Sequence, residues 1–244
     1  MKISIIIPIY NAQETISETI SSVLNQSYQD VEIVCIDDCS TDKSVQIIEG
    51  FVASNQNIRL IKQEKNAKTS AARNRGIHAA SGELILPLDA DDTIDPTYCE
   101  KIASCFKFNP WLTVVYSLAY KFDETNRWDW ELPSYDVRTL CFENMVFCSA
   151  AYRKTSWKKV GGYDERMVSG LEDWEFWLNL SRRVGQFFYR IPEPLFNYRQ
   201  SQQSRNSVVS NKSRNIEIYK YVRKKHLFFI IKVKIKSLFV SLFE

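Results

Sequence analysis

Four groups of charged side chains have the types and spacing that could support chemistry, and the first is Asp89-Ala90-Asp91-Asp92. Carboxylates spaced in this way can hold a hard divalent cation, because Mg²⁺ and Mn²⁺ prefer oxygen ligands and usually take one or two protein carboxylates together with phosphate oxygens. Such a cation stabilises a departing diphosphate. A solvated acidic turn has the same composition, so the position of the motif in the fold must decide between the two interpretations.

Two further groups could contact a nucleotide. Asp37-Asp38 could accept hydrogen bonds from a base N–H or from ribose hydroxyls. The alternative is a cap for the following helix, for which Ser40 or Asp42 is a good candidate. Arg73 could stack on a base or pair with phosphate, and the alternative is an ordinary exposed helix arginine.

The fourth group, Glu172-Asp173-Trp174-Glu175, lies at the predicted start of a helix. A carboxylate there could act as a general base that takes a proton from an acceptor hydroxyl. Acidic residues in a first turn also complement the helix dipole without any catalytic role. Both interpretations stay open at this point.

Hydrophobic patterning predicts the elements that must position these groups. Short β-branched runs predict strands at residues 3–9, 31–36, 58–61 and 84–88, and amphipathic patterns predict helices between them at 12–26, 44–53 and 70–80. This alternation implies a parallel, Rossmann-like sheet flanked by helices. Ligands of such sheets bind at the carboxyl ends of the strands. Both acidic clusters follow strand ends, which favours the ligand-binding interpretation.

The second half has a looser pattern, with a helix at 98–106, a strand at 112–119, a turn at 160–164 and a helix at 171–184. Trp128 and Trp130 fall in a stretch that we predict to be a loop, where they form either a platform for sugar stacking or part of the core. We predict one domain at residues 1–211, divided into a nucleotide-binding half (1–95) and an acceptor-binding half (96–211). A basic amphipathic helical tail follows at residues 212–244.

Composition bounds the class of protein. The chain has 244 residues, 45% hydrophobic and 25% charged, with a formal net charge of +3, which suits one sizeable α/β domain. The six cysteines have no metal spacing and there are only two histidines, so we expect no zinc site and reduced thiols in the cytoplasm. The apolar run before Pro8 is too short for a signal peptide, and no run reaches the ~18 apolar residues of a membrane span. We expect no nucleic-acid partner.

In order and spacing, seven segments resemble the family 2 glycosyltransferases with the GT-A fold. The resemblance covers residues 3–200. The segments are Ile5-Ile6-Ile7-Pro8-Ile9-Tyr10-Asn11, Ser22-Val23-Leu24-Asn25-Gln26-Ser27-Tyr28, Ile36-Asp37-Asp38-Cys39-Ser40-Thr41-Asp42, Ala71-Ala72-Arg73-Asn74-Arg75-Gly76, Leu88-Asp89-Ala90-Asp91-Asp92, Gly161-Gly162-Tyr163-Asp164 and Glu172-Asp173.

The resemblance implies a nucleotide-sugar donor, with UDP as the default nucleotide and dTDP or GDP as alternatives. It implies that Pro8, Tyr10 and Asp38 line the nucleoside pocket, with Asp38 meeting the base and Arg73 beside it. Asp89 would approach the ribose.

The chemistry implied by the resemblance is a single inverting displacement at the anomeric carbon. Asp91 would hold Mn²⁺ or Mg²⁺ on the diphosphate with support from Asp92, and Asp173 would be the base with Glu172 beside it. The acceptor would be a hydroxyl of a glycan or lipid-linked molecule in the synthesis of a surface polysaccharide such as lipopolysaccharide or capsule. The Q-x-x-R-W motif of processive synthases is missing, which favours addition of one sugar at a time.

The sequence departs from the family pattern in three places. Cys39 stands where many members have Gly, and residues 66–70 lack the glycines that often precede A-A-R-N. Many members have His two residues after the arginine that corresponds to Arg199, and here Ser201 takes that place. Arg199 or Arg205 would then meet phosphate.

The C-terminal tail is rich in basic and apolar residues. Basic and apolar residues mixed at 223–236 predict a helix that lies on an anionic membrane, which would place the enzyme at the inner face of the cytoplasmic membrane. The alternative is a helix packed on the domain or on a partner. A nucleotidyltransferase is disfavoured because no Gly-rich loop follows the first strand, and a non-catalytic nucleotide-sugar-binding protein is the remaining alternative.

Overall fold

The computed structural model describes residues 1–200 and 212–240. Within them, nine strands form one sheet: β1 (Ile3–Ile9), β2 (Val31–Asp37), β3 (Ile58–Lys62), β4 (Leu84–Pro87), β5 (Thr93–Ile94), β6 (Val114–Phe122), β7 (Arg127–Trp130), β8 (Ala151–Arg153) and β9 (Phe188–Arg199). The helices of these residues are α1 (Ile16–Leu24), α2 (Ser44–Ser54), α3 (Lys68–Ala79), α4 (Tyr98–Phe108), α5 (Val137–Leu140), α6 (Lys154–Val160), α7 (Glu172–Arg183), α8 (Lys212–Lys225) and α9 (Leu227–Val240).

The first half of the chain forms the parallel part of the sheet, in the order β3-β2-β1-β4. Nearly every residue of β1, β2 and β4 is buried, as expected for β-branched runs covered by helices on both faces. Ile9 pairs with Asp37 and Asp37 with Lys62, so the strands end at a common edge. The predicted Rossmann-like α/β sheet is confirmed.

The second half extends the sheet with pairings that the sequence did not predict. β8 lies antiparallel to both β4 and β6, and β9 lies parallel to β6 and antiparallel to β5. The predicted loop around Trp128 and Trp130 is wrong, because these residues form β7 against β6. The register of β6 against β9 shifts beside Pro194, since a proline supplies no N–H to the ladder.

Helix α3 packs closely on β1 and β2 because of Gly76. A Cβ at this position would lie 2.3 Å from Cδ1 of Ile36 and 2.7 Å from Cγ2 of Ile6. Only glycine therefore allows this approach. Arg73 lies one helical turn before Gly76, on the same side of α3, and this geometry directs its side chain into the fold.

The tail packs on the domain as two helices, with His226 between them. Val222, Phe229, Ile230 and Val233 are buried. Apolar side chains also lie on the outer face of α9, so its packing is not that of a simple amphipathic helix. The predicted domain boundary at residue 211 lies outside the described residues. Among the described helices, none has the length and apolar character to cross a membrane.

Candidate active site

The rim of the candidate pocket is built by two loops that follow β1 and β2. Asn11 accepts a hydrogen bond from the amide of Thr41 at 2.8 Å, and the hydroxyl of Ser44 accepts one from the amide of Ala12 at 2.8 Å. These contacts fix the end of β1, where Pro8 is half-buried and the ring of Tyr10 is 55% exposed. Both predicted pocket residues therefore lie at the carboxyl edge of the sheet, with Tyr10 available for stacking on a base.

Asp38 is buried at the end of β2 and organises the loop that leads into α3. Its carboxylate accepts hydrogen bonds from Nε2 of Gln63 at 2.6 Å and from the amides of Ala67 and Lys68 at 2.7 and 2.9 Å. Asp38 thus lies in the predicted pocket region, but its oxygens already hold protein N–H groups. The N-cap residue of α2 is Lys43, which makes no side-chain capping bond, and Asp42 just before it accepts a hydrogen bond from the amide of Ser44.

Cys39 has a φ of 67°, in the left-handed region that glycine adopts most readily. A left-handed backbone is strained for a residue with a side chain. The thiol donates a hydrogen bond to the carbonyl of Gln63 at 3.3 Å. The turn after Asp38 therefore keeps the geometry that glycine would adopt.

Arg73 forms a buried bridge between the two halves of the domain. Its side chain is 1% exposed, and it donates to Asp89 at 2.6 Å and to Glu172 at 2.9 Å. The interpretation as an exposed helix arginine is wrong, because Gly76 brings this face of α3 into the core. The guanidinium lies between two carboxylates, and its expected place beside a base stays a prediction. Asp89 is further contacted by the thiol of Cys148 at 3.4 Å.

The remaining acids of the strand-end cluster have different environments. Asp91 is half-buried, whereas Asp92 has no exposed surface. Oδ1 of Asp92 accepts a hydrogen bond from the amide of Arg199 at 2.9 Å, and Oδ2 has no hydrogen-bond partner among the described residues. Burial, and then Asp91 and Asp89, raise the pKa of Asp92 well above its usual range. The carboxyl group thus holds β9 through Oδ1, and the predicted support of a metal by Asp92 stays a prediction.

Arg199 lies beside the acidic cluster, which is where we expect the diphosphate and therefore its ligands. Its Nε donates to the carbonyl of Asp91 at 2.8 Å, and its guanidinium forms an ion pair with Glu18. The side chain also stacks over Phe122 at 4.4 Å. Arg205, the other predicted phosphate ligand, lies outside the described residues.

The donor set fits a cation of the kind expected. Within residues 1–200 and 212–240, no three His, Cys, Asp or Glu side chains form a cluster that could enclose a metal ion. Mg²⁺ and Mn²⁺ sites at phosphates need only one or two protein carboxylates. Asp91, half-buried in the turn between β4 and β5, is compatible with such a site.

The candidate base Asp173 is the second residue of α7, whose N-cap residue Leu171 has a φ of 61°. Its carboxylate accepts hydrogen bonds from Nδ2 of Asn144 and from the amide of Trp174, at 2.9 and 2.8 Å. Burial, followed by the charge of Glu172 and opposed by Arg73, raises the pKa of Asp173 to about 6. A carboxylate with such a pKa is suited to accept a proton near neutral pH.

Several residues of the site carried no signal in the sequence. Asn144 and Cys148 come from the irregular segment before β8, where no periodicity or motif singles them out. Trp130 packs against Phe147 and Tyr198, with ring centroids at 6.0 and 5.0 Å, so its role is to pack the core. Trp128 is 38% exposed, and its predicted role as a sugar platform remains a prediction.

Comparison with known sequences identifies relatives. Residues 4–168 match the family described as "Glycosyl transferase family 2". An uncharacterised glycosyltransferase of Haemophilus influenzae is 44% identical over 99 residues, 41% of this chain and 40% of that protein. The Bacillus subtilis protein EpsE, which is named as a glycosyltransferase, is 30% identical over 204 residues, covering 82% of this chain and 73% of that protein. A poly(ribitol-phosphate) β-glucosyltransferase of Bacillus spizizenii is 43% identical over 97 residues, 38% of this chain and 15% of that protein.

Solved structures show the same fold. The complex of Staphylococcus aureus TarS with UDP-GlcNAc has a TM-score of 0.73 at 21% identity, covering 85% of this chain and 61% of that one. The mannosyltransferase PcManGT of Pyrobaculum calidifontis, with GDP-Man and Mn²⁺, has a TM-score of 0.66 at 17% identity, covering 85% of this chain and 59% of that one. The chain thus spans less than two thirds of either structure.

Proposed function

The chain belongs to glycosyl transferase family 2 and is a glycosyltransferase, and we propose that it is an inverting, non-processive enzyme. It moves one sugar from a nucleotide-sugar, with UDP as the leading nucleotide, to a hydroxyl of a glycan or lipid-linked acceptor. The observation that carries the proposal is the bridge of Arg73 between Asp89 and Glu172. This bridge joins the donor edge of the sheet to the helix that bears Asp173.

The proposed reaction assigns separate tasks to the two sides of the bridge. Pro8 and Tyr10 form the nucleoside side of the pocket at the end of β1. Asp173 takes the proton of the acceptor hydroxyl while the acceptor oxygen attacks the anomeric carbon and the bond to the diphosphate breaks. Attack from the face opposite the leaving group inverts the configuration. Asp91 would hold Mn²⁺ or Mg²⁺, which neutralises charge on the departing diphosphate when bound.

The relatives support the donor class and the pathway. UDP-GlcNAc is bound by TarS and GDP-Man with Mn²⁺ by PcManGT, so a nucleotide-sugar donor with a divalent cation is a reasonable assignment for this chain. A relative that glucosylates poly(ribitol-phosphate) supports a role in the synthesis of cell-surface polysaccharide. Within the described residues, nothing favours the nucleotidyltransferase alternative.

A donor screen tests the proposal. Thermal unfolding is measured with UDP-, dTDP- and GDP-sugars, each with Mn²⁺ and with EDTA, since a ligand that binds only the folded state raises the melting temperature. Stabilisation by one nucleotide class in the presence of Mn²⁺ is expected. Product anomers are then assigned by NMR. A product that retains the donor configuration contradicts the inverting mechanism, and no stabilisation by any nucleotide-sugar contradicts the donor assignment.

The tail supports a location at the inner face of the cytoplasmic membrane. Its outer side exposes apolar residues, with Phe228 88% and Ile231 44% exposed, and lysines lie next to them. This mixture suits the interface of an anionic membrane. Peripheral contact would bring the enzyme to a lipid-linked acceptor.

A further inference from the structure

A groove of about 580 Å³ lies between α5, the C-terminal end of α7 and α9. Its walls carry four cationic side chains and an apolar floor and rim. The residues that matter for its chemistry are Arg138, Arg182, Lys232, Lys236, Phe228 and Val233. Among the described residues that line the groove, none is acidic, so its ligand should combine an anionic group with an apolar part.

The groove is separate from the candidate active site. Asp173 lies in the first turn of α7 and Arg182 in its last turn. At 1.5 Å per residue, the nine steps between them span roughly 14 Å. A group bound by Arg182 therefore cannot be the hydroxyl that Asp173 deprotonates, and the groove has no part in the transfer reaction described above.

The positive charges around the groove are mostly not neutralised by the protein. Arg138 forms an ion pair with Asp136 at 3.3 Å, while Arg182 donates to the neutral side chain of Asn179 at 3.0 Å. In the part of the chain that the structure describes, Arg182, Lys232 and Lys236 form no ion pair. Burial, and then Arg183, lower the pKa of Arg182, and Glu175 opposes this shift. The field of the groove comes from its four cationic side chains. Such a field attracts an anion that can accept several hydrogen bonds, such as a phosphate.

Exposed aromatic side chains continue from the groove onto the neighbouring surface. Phe228 at the mouth is 88% exposed, Phe187 is 59% exposed and Trp111 is 61% exposed. Phe187 follows Gln186, which lines the groove. The carbonyl of Phe187 accepts a hydrogen bond from the amide of Thr113 at 2.8 Å, which brings the loop of Trp111 alongside. Aromatic side chains placed in this way are typical of proteins that insert into the headgroup region of a bilayer.

We propose that this groove binds the phosphate headgroup of an anionic phospholipid in a bilayer, with Phe228, Phe187 and Trp111 inserted around it. Arg182, Lys232 and Lys236 hold the phosphate, and Val233 and Phe228 contact the first methylenes of the lipid. The inference rests on the proposed membrane contact of the tail and gives it a specific site. It also fixes the orientation of the enzyme, because α7 carries the lipid site at one end and Asp173 at the other.

A matched pair of double variants tests the site by vesicle co-sedimentation. Lys232→Gln with Lys236→Gln removes two exposed lysines from the groove. Lys158→Gln with Lys159→Gln removes two exposed lysines of α6, which do not line it. With vesicles of phosphatidylcholine and phosphatidylglycerol, the groove variant should bind about 30-fold more weakly, at the roughly fivefold per lysine expected near an anionic surface. The α6 variant should lose less than about threefold. Equal losses would show a general electrostatic attraction and overturn the site.

The lipid class and the apolar contact are tested in the same assay. Phe228→Ala should weaken vesicle binding about fivefold or more without a change in melting temperature, because the ring is exposed. Vesicles of phosphatidylcholine alone should not bind the wild-type chain. Recruitment by polyprenyl phosphate in phosphatidylcholine, with none by phosphatidylglycerol, would assign the groove to a lipid-linked acceptor and overturn the phospholipid proposal.

UDP affinity in solution separates this inference from the proposed function. The wild type and both double variants should bind UDP equally with Mn²⁺, since the groove lies outside the donor pocket. A wild-type chain that binds UDP but does not distinguish anionic from neutral vesicles counts against the groove alone. A wild-type chain that selects anionic vesicles through the groove lysines, as the matched variants show, but binds no nucleotide counts against the proposed function and leaves the groove supported.

Discussion

The guanidinium of Arg73 contacts Asp89 from the end of β4 and Glu172 from the start of α7. Two carboxylates separated by 83 positions in the sequence therefore share one buried cation. Arginine suits this place because its planar fork can donate to two partners in fixed directions, whereas the lysine ammonium is a compact point charge. Removing one partner of a buried ion pair leaves uncompensated charge behind.

We therefore predict that Arg73→Met lowers the free energy of unfolding by about 3–5 kcal/mol. Two carboxylates, Asp89 and Glu172, would remain without their shared counter-charge. Urea denaturation measures the effect. The control is Arg75→Met on the same helix, which is exposed and should change stability by less than about 0.5 kcal/mol. Similar effects of the two substitutions would contradict the structural importance of the bridge.

The raised pKa of Asp173 predicts the pH dependence of transfer. A general base must be ionised, so activity should fall as pH drops through about 6. Asn144 donates a hydrogen bond to the ionised carboxylate and thereby favours that form. Asn144→Leu should raise the pKa of Asp173 and move the acid limb of the rate profile to higher pH. Asp173→Asn should bind UDP normally but lose transfer, and full turnover by that variant would remove Asp173 from the mechanism.

Two neighbouring acids should differ in their effect on the metal. Asp91→Ala should abolish the gain in UDP affinity that Mn²⁺ gives, because the half-buried carboxylate is the proposed ligand. Asp92→Asn should keep that gain, since Asp92 is buried and holds the amide of Arg199. Calorimetry with and without Mn²⁺ measures both. Loss of the Mn²⁺ effect in Asp92→Asn, with retention in Asp91→Ala, would reverse the assignment.

The sequence predicted which acids lie at strand ends, but not how their charges are partnered. Asp89, Asp91 and Asp92 follow one strand, and the sequence alone does not distinguish their environments. Their different environments arise from Arg73, Cys148 and Arg199, which come from distant segments. No local pattern records that Arg73 faces inward, because this depends on the close packing of α3 through Gly76.

Elements of the first half were predictable because their patterns are local. β1, β2 and β4 are short runs in which β-branched residues or leucine predominate, as is typical of parallel strands buried on both faces. β9 was missed because Pro192 and Pro194 interrupt its pattern, although its pairing with β6 extends over nearly its whole length. β8 has only three residues, too few for periodicity to be visible.

The turn between α6 and the following segment fixes α3 through Asn74. Oδ1 of Asn74 accepts hydrogen bonds from the amide of Tyr163 at 2.9 Å and from Nε1 of Trp157 at 3.1 Å. Gly162 lies against this amide, with φ of 79°, and an added Cβ would lie 2.7 Å from Oδ1 of Asn74. The preceding Gly161 has φ of 87° with open space around it. Substitution of Gly161 would therefore cause backbone strain alone, whereas substitution of Gly162 would cause both backbone strain and a steric clash.

We predict that Gly162→Ala destabilises the protein more than Gly161→Ala. Both substitutions place a side chain on a left-handed backbone, at about 1–2 kcal/mol. Only Gly162→Ala also displaces the side chain of Asn74, which should add about 1 kcal/mol or more through its lost hydrogen bonds. Chemical denaturation of the two variants measures the difference. Equal stabilities would show that Asn74 moves aside without cost.

At the scale of the whole molecule, the tail is part of the core as well as a surface. Glu175 of α7 is fully buried and is contacted by Lys225 at 2.8 Å and by His226 at 2.7 Å. Lys225 also contacts Asp164 at 2.6 Å, and the ring of Tyr219 lies 4.9 Å from that of Trp174. The sequence suggested either membrane contact or packing on the domain. The described residues show the packing, and the exposed face of α9 leaves room for the membrane.

Removal of residues 212–244 should therefore destabilise the remaining domain. Truncation leaves Glu175 without Lys225 and His226 and exposes the surface that Val222, Phe229, Ile230 and Val233 cover. Each such side chain contributes roughly 1.5–3 kcal/mol when fully buried, and the entropy of ordering the tail offsets part of that gain. We expect the free energy of unfolding to fall by several kcal/mol. Urea denaturation monitored by tryptophan fluorescence measures this loss, because Trp174 packs against Tyr219 of the tail. The Lys232→Gln, Lys236→Gln variant should keep the wild-type midpoint, since both side chains are exposed. An unchanged midpoint in the truncated chain would mean that the tail serves the membrane alone.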